Sequence, residues 1–392
     1  MKLLKIKVKG LKLFRDELEV DFFAQQRVGA EKNEMLYKLS TNIYLNNVLA
    51  FIGINASGKT TVLKVISFVI QMLSNKPINS IEYNDILNGI DEMDKIVLET
   101  YFCCQSSTVN KLVTVIKKDP MCKDGDNKYI IEDEKIWSKD LNKVRTKKSL
   151  FEFEDLEPLQ IRKGDEEYLM EDVSIIIAFN KKHNSNFYMR DLIEWTNRNM
   201  LNIGGKYPAE LMTFLDPSIE YLNFERVENG IKTRLKFKEK EEIVVRTPFD
   251  LDKYLSSGTI RGINVFLNAM SVFDNGGYLL VDELENHFNK EIVSTLIRFF
   301  MNHEVNGKGA TIVFSTHYPE LLDEFERNDD IYIVRNKKGI SAENLSKILT
   351  RNDIKKSEAY QSGYLQGTVP IYEAYIDLKN AIIVNSKIDE VQ

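Results

Sequence analysis

The segment Gly53-Ile-Asn-Ala-Ser-Gly-Lys-Thr60 fits the pattern G-x-x-x-x-G-K-[ST], in which a glycine-rich turn lets backbone N–H groups close around phosphate oxygens. Gly53, Asn55, Ala56, Ser57, Gly58 and the following Thr61 would form the cradle, and Lys59 would carry a full charge to the β- and γ-phosphates. The Thr60 hydroxyl would ligate Mg²⁺. A second run, Gly276-Gly-Tyr-Leu-Leu-Val-Asp282-Glu283, is apolar and ends in two carboxylates. There Asp282 would hold the metal, directly or through water, and Glu283 would orient an attacking water. Between the two lies Leu255-Ser256-Ser257-Gly258-Thr259, followed by Ile260, Ile263, Phe266, Leu267 and Met270 on one helical face. Either serine could simply cap the helix, and the same geometry also makes an anion site. Finally, Thr311-Ile-Val-Phe-Ser-Thr-His317 ends a β-branched run in a histidine that could touch the γ-phosphate. His183, His287 and His303 form no zinc spacing with cysteine or carboxylates, and no catalytic role is assigned to them.

These groups need a sheet to hold them. Leu3 to Phe23 alternates as two strands joined near Lys12 to Asp16, and Val48 to Ile52 is a short apolar strand. The phosphate-loop pattern follows it, and Val62, Val65, Ile66, Val69 and Leu73 continue at helical spacing: strand, loop, helix. Ile96 to Phe102, Leu112 to Ile116 and Tyr129 to Ile136 predict an antiparallel lobe. Asn142 to Asp172 is charge-dense, basic at Lys143, Arg145, Lys147 and Lys148 and then acidic, and reads as solvated linker. Val173 to Phe214 reads as mostly helical. Ile219 to Val245 returns to strands around a Glu228-Asn229-Gly230 turn. From Tyr254 to Val334 the order loop, helix, strand, helix, strand is that of a parallel sheet, whose strand-end acids lie at the ligand-binding edge, close to the phosphate loop if the strands are neighbours.

At 392 residues the chain is long enough for two or three compact units or one elaborated domain. Three cysteines, Cys103, Cys104 and Cys122, give neither a metal-ligand spacing nor an even disulfide set, which fits a reducing cytosol. The run Val62 to Leu73 is too short and too interrupted for a membrane span, and the start lacks the apolar block of a signal peptide; a cytoplasmic protein is expected. A net charge of −6 excludes a wholly basic coat but leaves a local nucleic-acid patch open.

In this order, phosphate loop, Leu-Ser-Ser-Gly signature, Asp-Glu strand end and strand-end histidine resemble the nucleotide-binding head of the ABC ATPase superfamily. Asn55-Ala-Ser-Gly-Lys-Thr, Leu255-Ser-Ser-Gly-Thr-Ile-Arg261, Asp282-Glu-Leu-Glu-Asn-His-Phe and Ser315-Thr-His-Tyr-Pro-Glu-Leu-Leu322 are similar to prokaryotic OLD-like, SMC-related ATPases of anti-phage systems, the abortive-infection ATPases above all. The tail Ser357-Glu-Ala-Tyr-Gln-Ser-Gly-Tyr-Leu-Gln-Gly-Thr-Val-Pro370 resembles theirs too. No sustained heptad marks the long coiled coil of chromosome-organising relatives.

The resemblance implies an α/β fold of ABC type: a mixed central sheet with helices, an antiparallel β lobe and a helical insertion. The divisions expected are 1–90 and 248–345 for the two parts of the head, 91–140 for the lobe, 141–247 for linker, insertion and strands, and 346–392 for the tail. It also implies ATP and Mg²⁺ as ligands, with two heads sandwiching ATP so that the nucleotide-binding signature Leu255, Ser256, Ser257 and Gly258 of one copy brings Ser256 and Gly258 to the γ-phosphate held by Lys59 of the other. Glu283 and His317 would be the catalytic pair, and Thr60 and Asp282 the metal ligands. The family's glutamine loop has no counterpart assigned in this sequence, since neither Gln105 nor Gln160 lies in a context that places it, and its second Mg²⁺ contact is unassigned. The segment after His317 is too short for the nuclease domain of full-length OLD proteins and lacks its Glu plus Asp-x-Asp set, so any cutting would belong to a separate effector. The function implied is an ATP-driven sensor or scaffold in phage defence; a RecF-like DNA-repair ATPase and a nucleotide-gated interaction module with negligible hydrolysis are the alternatives, and a transporter motor would need a membrane subunit.

Overall fold

The computed structural model describes residues 1–29, 34–104, 108–121, 128–164, 169–195, 201, 207–227, 230–245, 248–286, 288–351, 354–368 and 372–388. Gln105, Cys122, Glu228, Asn229, His287 and Pro370 lie outside the described residues.

Strand β1 (Lys2–Lys9) pairs antiparallel with β2 (Leu18–Asp21), and β3 (Leu36–Lys38) and β4 (Tyr44–Asn46) form a small ribbon. Then come β5 (Val48–Ile52), the phosphate-loop segment and helix α1 (Lys59–Leu73). Three long antiparallel strands follow, β6 (Ile96–Cys104), β7 (Thr108–Lys118) and β8 (Tyr129–Asp140), with β9 (Gln160–Ile161) at their edge. They share one sheet with the N-terminal hairpin, in the order β2-β1-β6-β7-β8-β9.

Next are α2 (Ile176–His183), β10 (Met189–Asp191) and α3 (Ala209–Leu215), then the antiparallel trio β11 (Ile219–Val227), β12 (Gly230–Phe237) and β13 (Ile243–Val245). The chain continues through α4 (Ser257–Asn275), β14 (Tyr278–Val281), α5 (Lys290–Met301), β15 (Thr311–Thr316), β16 (Ile331–Asn336) and β17 (Ile340–Asn344). It ends with α6 (Leu345–Ile348), α7 (Lys356–Gln361) and α8 (Tyr372–Ile388).

The central sheet runs β10-β14-β15-β5-β16-β17 and is parallel except for β17, hence mixed. Its inner strands β14, β15 and β5 are buried on both faces, which is why Val48-Leu-Ala-Phe-Ile52 has no polar alternation. Leu49 and Phe51 join one core with α1 and the antiparallel sheet, while Val48, Ala50 and Ile52 join a second core with α4 and α5. Helix α1 is therefore sandwiched between two sheets, and so it is apolar nearly all round.

One expectation changes, and two open points find their place in the fold. Among the described residues, the stretch Val173 to Phe214 is not mostly helical: β10 lies within it, an edge strand of three residues, Met-Arg-Asp, too short and too polar to show a strand pattern. Strands β5 and β14 are not neighbours either; β15 lies between them. Gln160 sits on β9 at the edge of the antiparallel sheet, away from the strand ends that gather the site. Among the described residues, no helix is long and apolar enough to cross a membrane.

Close packing of β10 on the sheet requires Gly277. A Cβ there would lie 2.6 Å from the Tyr188 ring and closer still to its carbonyl. Gly277→Ala is expected to cost about 1–3 kcal/mol by overpacking and to lower the melting temperature, whereas Gly29→Ala, which meets no atom within 4 Å, leaves it unchanged; differential scanning calorimetry on both variants checks this.

Candidate functional site

Parallel register gathers the chemistry at one sheet edge. Val281 is level with Phe314 and Thr316 with Ile52, so one step further on Asp282 comes beside Ser315, and His317 beside Gly53. The turn into α1 carries Ala56 (φ 59°) and Gly58 (φ 97°) in the left-handed region. At Gly58 a side chain is excluded twice over, because a Cβ would lie 2.6 Å from the Ile340 side chain. Asn55 and Ala56 form the exposed crest, Thr60 is exposed and Thr61 half-buried, while Ser57 is turned inward and buried. The Asn336 amide holds the crest by donating to the Ala56 carbonyl at 3.3 Å. Helix α1 has no side-chain cap and no acid in its first turn, which leaves its N-terminal dipole unopposed for an anion.

Lys59 is buried, and its ammonium donates to the carbonyls of Gly53 (3.0 Å) and Ile54 (3.3 Å) and meets His317 Nδ1 at 3.3 Å. Burial pulls its pKa below the usual lysine range, against the opposing pull of the Asp282, Glu283 and Glu285 carboxylates. An ammonium can only donate, so Nδ1 accepts and the imidazole proton sits on Nε2, which faces Glu283 Oε1 at 3.4 Å. Lysine, histidine and Glu283 thus form one chain.

Thr60 donates to Asp282 Oδ2 at 2.7 Å, and Ser315 donates to Asp282 Oδ1. Ser315 Oγ also accepts the Glu283 N–H at 2.7 Å, so one buried hydroxyl sets both acids. Glu283 itself has φ 47°, a strained conformation for a non-glycine residue. It is over-determined by Arg261, which donates to the carbonyls of Asp282 (3.2 Å) and Glu283 (2.6 Å), and by the Asn286 amide on its carboxylate. Burial pulls Arg261 down to about 10. Glu285 accepts the His317 N–H at 2.6 Å.

Ser315, Glu285, Asn286 and Arg261 stand within the motifs that carry the resemblance, but the sequence assigns them no role. Ser315 had a signal: it lies at the end of the β-branched run, two positions before His317, where strand-end groups gather.

The signature segment reaches the same edge through Arg261, one turn into α4. Leu255 is buried and Ser256 exposed, with Ser257 and Gly258 half-buried. Ser256 Oγ caps α4 by accepting the Thr259 N–H at 3.0 Å and meets the Thr259 hydroxyl at 2.8 Å. Within one chain it is therefore a helix cap, and its hydrogen bonds stay within its own helix rather than reaching the phosphate loop.

Residues 48–323, more than two thirds of the chain, match the family described as "AAA domain, putative AbiEii toxin, Type IV TA system". The chain belongs to that family. No curated protein matches it. The match begins at β5 and ends just past His317, so this AbiEii-type AAA domain contains the whole set of converging side chains, while the N-terminal hairpin and the tail lie beyond it. Membership makes the chain a P-loop ATPase-family, nucleotide-binding protein.

The donor set fits Mg²⁺. Among the described residues, no cluster of three His, Cys, Asp or Glu side chains could cage a metal, and the Thr60 hydroxyl beside one carboxylate oxygen is the sparse, all-oxygen arrangement that leaves positions for water and phosphate.

Replacing Lys59 with alanine is expected to weaken ATP binding by about 10- to 100-fold, measured by titration calorimetry. Phosphate charge raises the lysine's depressed pKa on binding, so the wild type takes up protons and its affinity falls as pH rises through the free-state value, below the usual lysine range. Lys59→Ala loses that alkaline dependence; an unchanged pH profile in the variant would assign the dependence elsewhere.

Proposed function

We propose that this protein is an ATP-hydrolysing switch of ABC type that acts as sensor or scaffold in anti-phage defence, with a separate effector, a nuclease being the partner of choice. The observation that carries the reading is the Lys59–His317–Glu283 chain beside the Thr60–Asp282 pair. ATP phosphates would exchange for the loop carbonyls around Lys59 and meet the α1 N-terminus. Thr60 and Asp282 would hold Mg²⁺, which when bound neutralises developing phosphate charge. Glu283 would take the proton of the attacking water, whose oxygen forms the new P–O bond as the bond to the ADP oxygen breaks. His317, with its proton on Nε2, orients Glu283 and can donate toward the γ-phosphate.

Pairing of two copies supplies what one copy lacks. Ser256 and Gly258, at the exposed N-terminus of α4, would face the γ-phosphate held by the partner copy, and Arg261 links that helix end to the backbone of Asp282 and Glu283. ATP then favours the closed pair through its differential affinity for it. The family's association with abortive infection and toxin–antitoxin systems, together with the sequence resemblance, supports the defence role.

The RecF-like alternative relied on Lys143, Arg145, Lys147 and Lys148 gripping DNA. Lys147 is turned inward, donating to the carbonyls of Gln25 and Gln26, while Lys143, Arg145 and Lys148 are exposed, so one of the four cations is withdrawn from such a grip.

Glu283→Gln is expected to lower ATP turnover by about 10²-fold or more while an ATP-bound pair accumulates in light scattering, and adding Ser256→Ala weakens that pair. Turnover in Glu283→Gln equal to wild type removes Glu283 from the chemistry. In phage-plating assays Lys59→Ala abolishes protection, and full protection by that variant would refute an ATP-driven role.

A further inference from the structure

His317 lies on a loop rather than on β15 itself, and the segment directly behind it, the 3₁₀ turn Pro319–Glu324, is held from two sides. On one side α5 supplies Ser294, which donates to Glu324 at 3.0 Å, and Arg298, which pairs with it at 2.9 Å. On the other side lies the tail. Ser357 donates to Asp323 through both its N–H (3.1 Å) and its hydroxyl (2.6 Å). Gln361 donates to Glu320 at 3.0 Å, and the buried Lys356 donates to the Phe325 carbonyl at 2.7 Å. Ala359, Tyr360 and Leu365 enter the core shared by α4 and α5. The same tail is fastened at its far end to the strand beside the phosphate-loop strand: Arg335 of β16 donates to the carbonyls of Leu365 (2.6 Å) and Gln366 (2.7 Å).

We propose that the tail segment 356–368 is a positioning element of the catalytic edge, with Ser357 and Asp323 as the positioning residues that set the loop carrying His317. This rests on the reading of His317 as a group of the site. The physical reason is the small number of restraints on the histidine: its backbone N–H is tied to Glu285, and its ring is shared between Lys59 and Glu283 at 3.3 and 3.4 Å. Two polar groups at those separations hold an imidazole only while the backbone behind it is fixed. Asp323, next to last in the turn, is where the tail fixes it. The tail touches neither the phosphate loop nor the Thr60–Asp282 pair by any of these bonds, so it acts on the histidine and not on nucleotide binding.

The test uses the full chain. With four histidines in all, the imidazole resonances are few, and the one lost in His317→Gln identifies His317. Asp323→Ala and Ser357→Ala are expected to shift that resonance away from the Nε2–H form while leaving those of His183 and His303 in place. Both variants lower kcat by about five- to fifty-fold with KM for ATP within about twofold of wild type, and Ser357→Thr, which keeps the hydroxyl, restores both readouts. Asp323 is exposed, so its replacement leaves the core closed. If Ser357→Ala melts early, Gln361→Ala loosens the same segment from the surface and replaces it. A His317 resonance and a kcat both unchanged in Asp323→Ala overturn the proposal. A wild-type chain without any turnover refutes the hydrolysis reading, and the imidazole comparison still decides the positioning role.

Discussion

A buried ammonium governs the arrangement of this protein. Lys59 is out of water and has no carboxylate in direct contact among the described residues; its own loop carbonyls and one imidazole nitrogen are what it touches. Desolvation works against its charge, and three carboxylates at longer range hold the charge in place. That balance requires the acids to be near but not touching. The strand order meets the requirement by inserting β15 between the lysine's strand and the acids' strand.

Strand β15 therefore does more than carry a histidine. Its Ser315 hydroxyl accepts from the Glu283 backbone and donates to the Asp282 carboxylate, and its end brings His317 between Lys59 and Glu283. The strained φ of Glu283 is tolerable because Ser315, Arg261 and Asn286 restrain it on three sides. Arg261 belongs to the helix that begins at the Ser256 cap. Any load on that helix end is thus one residue's reach from the backbone of the two acids, which gives the proposed pairing of copies a mechanical path to the chemistry.

The sandwich of α1 between two sheets gives the phosphate loop its support. Each face of α1 packs on a different sheet, so the phosphate loop at its N-terminus is braced from both sides, and Ile340 closes over Gly58 from the β16–β17 hairpin. The tail adds a third brace, spanning from the turn behind His317 to β16.

The sequence alone determined the groups whose partners are contiguous. The phosphate loop, the Asp282-Glu283 strand end and the strand-end histidine are legible because neighbouring residues in one short run carry each pattern, and the strand–loop–helix around residues 48–73 is legible from its hydrophobic periodicity. Strand β10 was not legible, because three residues of mixed polarity become a strand only when a parallel neighbour offers them hydrogen bonds. Ser315, Glu285, Arg261 and the anchorage of the tail at Asp323 were not legible either, since each acts on residues brought near by register and crossover rather than by spacing in the chain. Local pattern chose the chemical groups; which strand stood between which others decided how they touch, because only the folded sheet brings the ends of separate strands to a common edge.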